Sequence, residues 1–233
     1  MASSLVFGST GVSGSHILAT LLAGNSLGAV HTISRRAPES TAPALRATVE
    51  ADTAQWASKL AAIAPPPATV YSALGTTRQQ AGGLANQWKI DHDLNVELAR
   101  AAKEAGVRHF VFVSSGGTRG ALSGPFPYAK MKRGVEDTVQ ALGFDTAIVL
   151  RPGLILDDRE EPHMGGPLLI GTAKALGRLF GLGVQDRWAV EGEVIGRAAV
   201  HAARIAEEGK APAKYWVLEQ SDIIRLGRTE WKD

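Results

Sequence analysis

The sequence predicts an α/β domain in which a doubly wound parallel sheet of about seven strands is covered by helices on both faces. Two observations carry this expectation. Short runs rich in β-branched and aromatic residues alternate along the chain with longer segments of helical period, the pattern of successive βαβ units. The first such run ends in "LVFGSTGVSG", residues 5–14, where three glycines stand three apart at the point a strand must turn into a helix. With 233 residues, 45% of them hydrophobic, the chain can bury one full core, and a single domain over 1–233 is expected.

The strands read from the sequence are Leu5–Gly8, Val30–Ser34, Ala47–Glu50, Thr69–Ala73, His109–Ser114, Thr146–Arg151 and Tyr215–Glu219. Helical patterns lie between them at Ser13–Ala23, Thr53–Ala62, Leu84–Ala105, Tyr128–Leu142, Pro167–Phe180 and Glu191–Glu208. The clearest period belongs to "NQWKIDHDLNVELARAAKEAG", which stops at Gly106. "IAPPPAT" reads as a stiff link into the fourth strand and not as a domain boundary. There is no internal repeat and no low-complexity tract.

Composition excludes several functions. The 25 Lys and Arg residues and 23 Asp and Glu residues are scattered and give a formal charge of +2, which argues against a nucleic-acid surface. The absence of cysteine removes disulfides, thiolate catalysis and Cys-ligated metal. "DHD" at 91–93 has the composition of a metal cluster, yet successive residues of a helix face different ways. It is therefore read as solvated surface, and no metal is expected. No apolar stretch approaches the roughly 20 residues of a membrane span. The first strand begins within about five residues of Met1, so no cleaved presequence is expected. A soluble, cytoplasmic chain is expected.

The glycine spacing suits a phosphate cradle. Gly8 permits a tight turn, Gly11 lets backbone approach a pyrophosphate, and Gly14 lets the helix pack closely on the strand. Thr10 and Val12 complete the loop, and the helix N-terminus adds free N–H groups and partial positive charge. An ordinary glycine-rich turn is the alternative. About twenty residues on, where an acidic residue for the ribose of NAD is the usual choice, the second strand ends in Ser34, Arg35 and Arg36. Paired guanidinium groups suit the 2′-phosphate of NADP(H), which is the expected cofactor; two solvated arginines are the alternative. Asp52 is a candidate for the adenine or for a helix N-cap. Leu74, Gly75 and Thr76, after the fourth strand, are expected to wall the cofactor.

The chemistry is expected in "HFVFVSSGGTRGALSGPFPYAKMKRGVED". Tyr128 and Lys132 are four apart at a helix start and project from one face. An ammonium and an oxidised nicotinamide at that face would favour the phenolate form of the tyrosine. Ser114 and Ser115, at the end of the preceding strand, can hold a substrate oxygen beside it.

With G-x-x-G-x-x-G, "LGTTRQQAGG", "VSSGGT", "YAKMK", "LRPGLILDDREE" and "WVLEQSDIIRLG", most of the chain resembles the short-chain dehydrogenase/reductase superfamily. Within it, the resemblance is to the atypical branch that contains the human Tat-interacting oxidoreductase and its fungal mitochondrial outer-membrane relatives. The resemblance implies a seven-stranded, NADP-binding Rossmann sheet and a Ser-Tyr-Lys site. Ser115, or its neighbour Ser114, would hold the substrate, Tyr128 would donate the proton and Lys132 would anchor the cofactor. Backbone at Pro152 and Gly153 would lie against the nicotinamide, and Arg159 would reach the cofactor phosphates or pair with Glu160 or Glu161. Asn95 falls where many members place a proton-relay asparagine, with a packing amide as the alternative. The reaction implied is hydride transfer between NADPH and a small-molecule carbonyl or alcohol.

Residues 157–190 are expected to form a substrate lid, with His163 and Trp188 read as packing or surface residues in preference to pocket walls. "PLLIGTAKALGRLFGLG", 167–183, is read as a core or lid helix, with a membrane surface or a protein partner as the alternative. That alternative goes with a second reading, a catalytically idle, cofactor-bound regulatory module, peripheral on the mitochondrial outer membrane as the resemblance implies. Either a monomer or a homodimer is compatible with the branch.

Overall fold

In the computed structural model, which describes residues 2–24, 28–120, 123–157, 186 and 188–232, the predicted alternation of strand and helix is realised almost element for element. The chain runs β1 (Ser4–Phe7), α1 (Val12–Ala23), β2 (Val30–Ser34), β3 (Leu45–Val49), a 3₁₀ turn (Thr53–Gln55) and α2 (Trp56–Ala61). It continues through β4 (Thr69–Ser72), α3 (Leu84–Trp88), a π-helical turn (Lys89–Leu94), α4 (Asn95–Glu104), β5 (His109–Val113), α5 (Pro127–Ala141) and β6 (Thr146–Leu150). After β7 (Leu154–Ile155) and β8 (Ala189–Val190) come α6 (Gly192–Glu207), β9 (Tyr215–Leu218), α7 (Gln220–Ile224) and a second π turn (Arg225–Thr229).

Seven strands form one sheet in the order β3-β2-β1-β4-β5-β6-β9, and every pairing is parallel. Each central strand is buried on both faces because its residues alternate between two cores. In β1, Leu5 and Phe7 join the side of α2, α4 and α5, while Val6 joins the side of α1 and α6. β5 divides in the same way, with Phe110 and Phe112 on one side and Val111 and Val113 on the other. The strand order reverses between β1 and β4, so the loops leaving their C-terminal ends diverge and open a crevice.

Two glycines let α6 lie close on α1. A Cβ at Gly196 would come within 2.7 Å of the His16 backbone. Beside Gly192, His16 pairs with Asp157 at 2.7 Å, and Asp157 also accepts the Gly192 N–H at 3.1 Å. The hydrogen bond to Asp157 raises the His16 pKa.

Some expectations are corrected. The third strand begins two residues before the predicted Ala47, and the predicted helix Leu84–Ala105 is three segments joined through the π turn. The short β7–β8 pair and α7 were not anticipated from sequence. The predicted helix Pro167–Phe180, with Arg159, His163 and most of the expected lid, lies outside the described residues. Trp188 is partly buried and packs on Leu156 and Ala189. No helix among the described residues is long and apolar enough to cross a membrane.

Candidate active site

The crevice is built first by the loop between β1 and α1. Gly8 has φ +77°, and a Cβ there would lie 2.8 Å from the Ala73 backbone at the end of β4. A Cβ at Gly14 would collide with the Gly8 carbonyl oxygen. Both glycines are therefore required by the fold itself. Gly11 is different: it is exposed, its φ of −90° suits any residue, and an added Cβ would meet only the Gly8 carbonyl oxygen, at 3.4 Å. Nothing inside the protein requires glycine at that position, so the space it leaves over the helix start suits an approaching ligand.

The first turn of α1 has no side-chain cap and no acidic residue, which leaves its N–H groups and partial positive charge for an anion. Ser9, in the same loop, is buried with a hydroxyl that has no hydrogen-bond partner. Ser9 and Thr10 share a cavity of about 720 Å³ with Arg36 and Ser40, which come from the loop after β2. Buried Ser34 braces that loop by donating to the Arg36 carbonyl at 2.7 Å, and Arg35 is exposed beside it. The cradle and the orphaned hydroxyl fit the phosphates of a dinucleotide. Val12 opens α1. The Asp52 carboxylate, a candidate for the adenine, is engaged as an N-cap, accepting the Ala54 N–H at 3.0 Å.

The middle of the crevice is lined from β4, the π turn and α5. Leu74 is nearly buried, Gly75 is exposed, and the Thr76 N–H donates to Asp91 Oδ2 at 2.9 Å. Asn95 is fully buried as a packing amide: it accepts from Ser72 at 2.6 Å and donates to the Ile90 and Asp91 carbonyls at 3.0 and 3.3 Å. It thereby satisfies backbone acceptors of the π turn and ties that turn to β4. Lys132, almost wholly buried, reaches the ends of β4 and β5, donating to the Leu74 and Val113 carbonyls at 3.3 Å each. Its ammonium lies 6.0 Å from the centre of the Tyr128 ring and 4.9 Å from that of Phe112. Tyr128 itself is 42% exposed, so the phenol faces solvent above a buried cation.

The two serines after β5 part company. Ser114, the alternative substrate-holding hydroxyl, is buried and donates to Glu136 Oε1 at 2.6 Å. Ser115 is only half-buried, and its weak 3.5 Å contact is to the carbonyl of the next residue. Glu136 is fully buried and also receives Arg119 at 2.8 Å and both faces of the Arg151 fork, at 2.7 and 3.2 Å. Burial opposes its charge, but the hydrogen bonds from Arg151, Ser114 and Arg119 outweigh burial and hold the carboxyl below its usual range. Arg119 belongs to the loop between β5 and α5, so this cluster fastens that loop to the helix carrying Tyr128 and Lys132.

Pro152 is buried, and Gly153 is held by Gln220, which accepts the Gly153 N–H at 2.8 Å and donates to the Asp186 and Ala189 carbonyls. A Cβ at Gly153 would collide with the Trp188 carbonyl oxygen. Arg159 lies outside the described residues.

The reading of 91–93 as solvated surface is overturned at its first residue. Asp91 is 1% exposed, because the inward face of the segment runs Gln87, Asp91, Asn95 and Leu98. That spacing of four, four and three residues is the signal in the sequence. Glu136, one turn beyond Lys132, carries a similar one.

A family model described as NAD(P)H-binding matches residues 8–168. The chain is 71% identical over 233 residues to "Protein FMP52, mitochondrial" of Chaetomium globosum, covering 100% of both chains. It is 60% identical to "Protein fmp-52, mitochondrial" of Neurospora crassa over 99% of this chain and 97% of that one. Among solved structures, MoeE5 in complex with UDP-glucose and NAD matches 98% of this chain and 81% of its own, with a TM-score of 0.64 at 18% identity. That last likeness is one of fold.

Proposed function

The chain belongs to the FMP52 family, NAD(P)H-binding members of the short-chain dehydrogenase/reductase superfamily, and we propose that it is an NADP-dependent oxidoreductase acting on a small-molecule carbonyl or alcohol. The observation that carries this reading is the exposed Tyr128 phenol above the buried Lys132 ammonium, 6.0 Å from ring centre to nitrogen. A module that only bound nucleotide could use the lysine as an anchor but has no reason to combine it with that phenol and Ser115.

The cofactor, when bound, exchanges hydride with the substrate carbon. Gly8, Thr10, Gly11, Val12 and Gly14 hold its pyrophosphate at the start of α1, and Leu74, Gly75, Thr76, Pro152 and Gly153 wall the crevice. Arg35 and Arg36 favour a 2′-phosphate, a preference supported by the cavity that Arg36 shares with Ser9 and Thr10. Tyr128 donates a proton to the substrate oxygen in reduction and accepts one in oxidation. Ser115 orients that oxygen with its hydroxyl. Lys132 holds positive charge under the phenol and eases its loss of a proton.

Relatives with "mitochondrial" in their names support a mitochondrial location for this chain as well, and peripheral attachment at the outer membrane is part of the same proposal. The test is NADPH consumption by the purified full chain against a panel of small aldehydes and ketones. Turnover of at least one supports the reading, and binding without any turnover moves it to an idle regulatory module.

A further inference from the structure

Asp91 is a buried acid at the centre of the site. Its Oδ2 accepts from the Thr76 N–H, but its Oδ1 has no hydrogen-bond partner and lies 3.9 Å from Lys132 Nζ. The lysine is 3% exposed, and its other polar contacts are two neutral carbonyls at 3.3 Å. An ammonium stripped of water to this extent is costly to bury without a countercharge nearby. Among the described residues, Asp91 is the acid within ion-pair reach of it. Glu136, one turn further along α5, is engaged by Arg119, Arg151 and Ser114. His92, which packs against Gly134 of α5, pairs with Asp93. Gly75 makes room for the pair: a Cβ there would sit 3.3 Å from Asp91 Oδ1 and 3.7 Å from Lys132 Nζ.

We propose that Asp91 is a positioning residue that keeps the Lys132 ammonium charged and seated beneath Tyr128. The proposal deepens the oxidoreductase reading and rests on it for its catalytic meaning. Burial raises the Asp91 carboxyl above its ordinary value, and Lys132 and the Thr76 N–H oppose that rise only in part. The π turn has a use here, because it carries Asp91 under the end of β4 while Asn95 satisfies two of its carbonyls.

The test is alkaline titration of tyrosine by ultraviolet absorbance in the full chain without cofactor. Tyr71 and Tyr215 are both pushed up by burial, so the first phenol to ionise should be that of Tyr128, identified by its loss in Tyr128→Phe. Lys132→Met should move that first midpoint upward. Asp91→Asn, which keeps an oxygen for the Thr76 N–H, should move it upward too, because a buried ammonium without its counter-ion is no longer held beneath the phenol. Asp91→Glu should restore part of the shift, and in a Lys132→Met background Asp91→Asn should raise the midpoint no further. Asp91→Ser is a second charge-free variant should the amide not fold. An unchanged or lowered midpoint in a folded Asp91→Asn or Asp91→Ser chain overturns the proposal. The titration needs neither turnover nor cofactor, so it can fail while the oxidoreductase reading stands and succeed in an idle protein.

Discussion

Glu136 and Arg151 meet in a two-pronged ion pair, at 2.7 and 3.2 Å, and Glu136 also accepts from Ser114, the residue that follows β5. Glu136 comes from α5 and Arg151 from the end of β6, so the pair locks the helix carrying Tyr128 to the sheet. Removing the acid leaves Arg151 and Ser114 facing a buried neutral group, and Glu136→Gln should cost about 3 kcal/mol of stability. The carboxyl is held below its ordinary value of 4.5. Its stabilising effect is therefore full above that value and is lost as pH falls through the lower, folded-state value. Urea unfolding of both chains across pH should show a gap that closes in acid. A gap independent of pH would mean that the charge of Glu136 is not what stabilises.

The three glycines of the first loop should separate by role. Gly14→Ala forces a Cβ onto the Gly8 carbonyl and should destabilise by about 1–3 kcal/mol. Gly11→Ala has space and should cost less than about 1 kcal/mol. Because its methyl projects over the helix start, cofactor affinity should fall roughly tenfold or more, about 1.4 kcal/mol of binding free energy. Thermal melts and cofactor titrations on the two variants check this. Unchanged affinity in Gly11→Ala would remove the loop as a phosphate cradle.

Arg35 and Arg36, both exposed, should act on cofactor choice. Replacing both with alanine should lower the NADPH-to-NADH affinity ratio by about tenfold or more, through weaker NADPH binding with NADH little affected. A ratio that does not move would assign the cofactor preference to other residues.

The parts legible in the sequence are those whose signal is local. Val30–Ser34 is a strand as expected because a short β-branched run buried on both faces has few alternatives. Gly106 ends its helix at φ +85°, as a C-terminal glycine should. Asp91 is hard to see in the sequence because it stands in a run of three polar residues of which His92 is half-buried and Asp93 exposed, and because a π turn leaves no mark on a helical period. The fate of Ser114 depended on Glu136 and Arg151, brought close only by the folded sheet. Gln220 was hidden for the same reason, since its partners Gly153, Asp186 and Ala189 are distant in sequence.

In the proposed reaction the Tyr128 phenol moves the proton that accompanies hydride transfer. The most direct test measures NADPH binding and carbonyl turnover together in wild-type and Tyr128→Phe chains. NADPH affinity should be unchanged in the variant and turnover reduced by about a hundredfold or more. Turnover in Tyr128→Phe equal to that of the wild type would contradict this role.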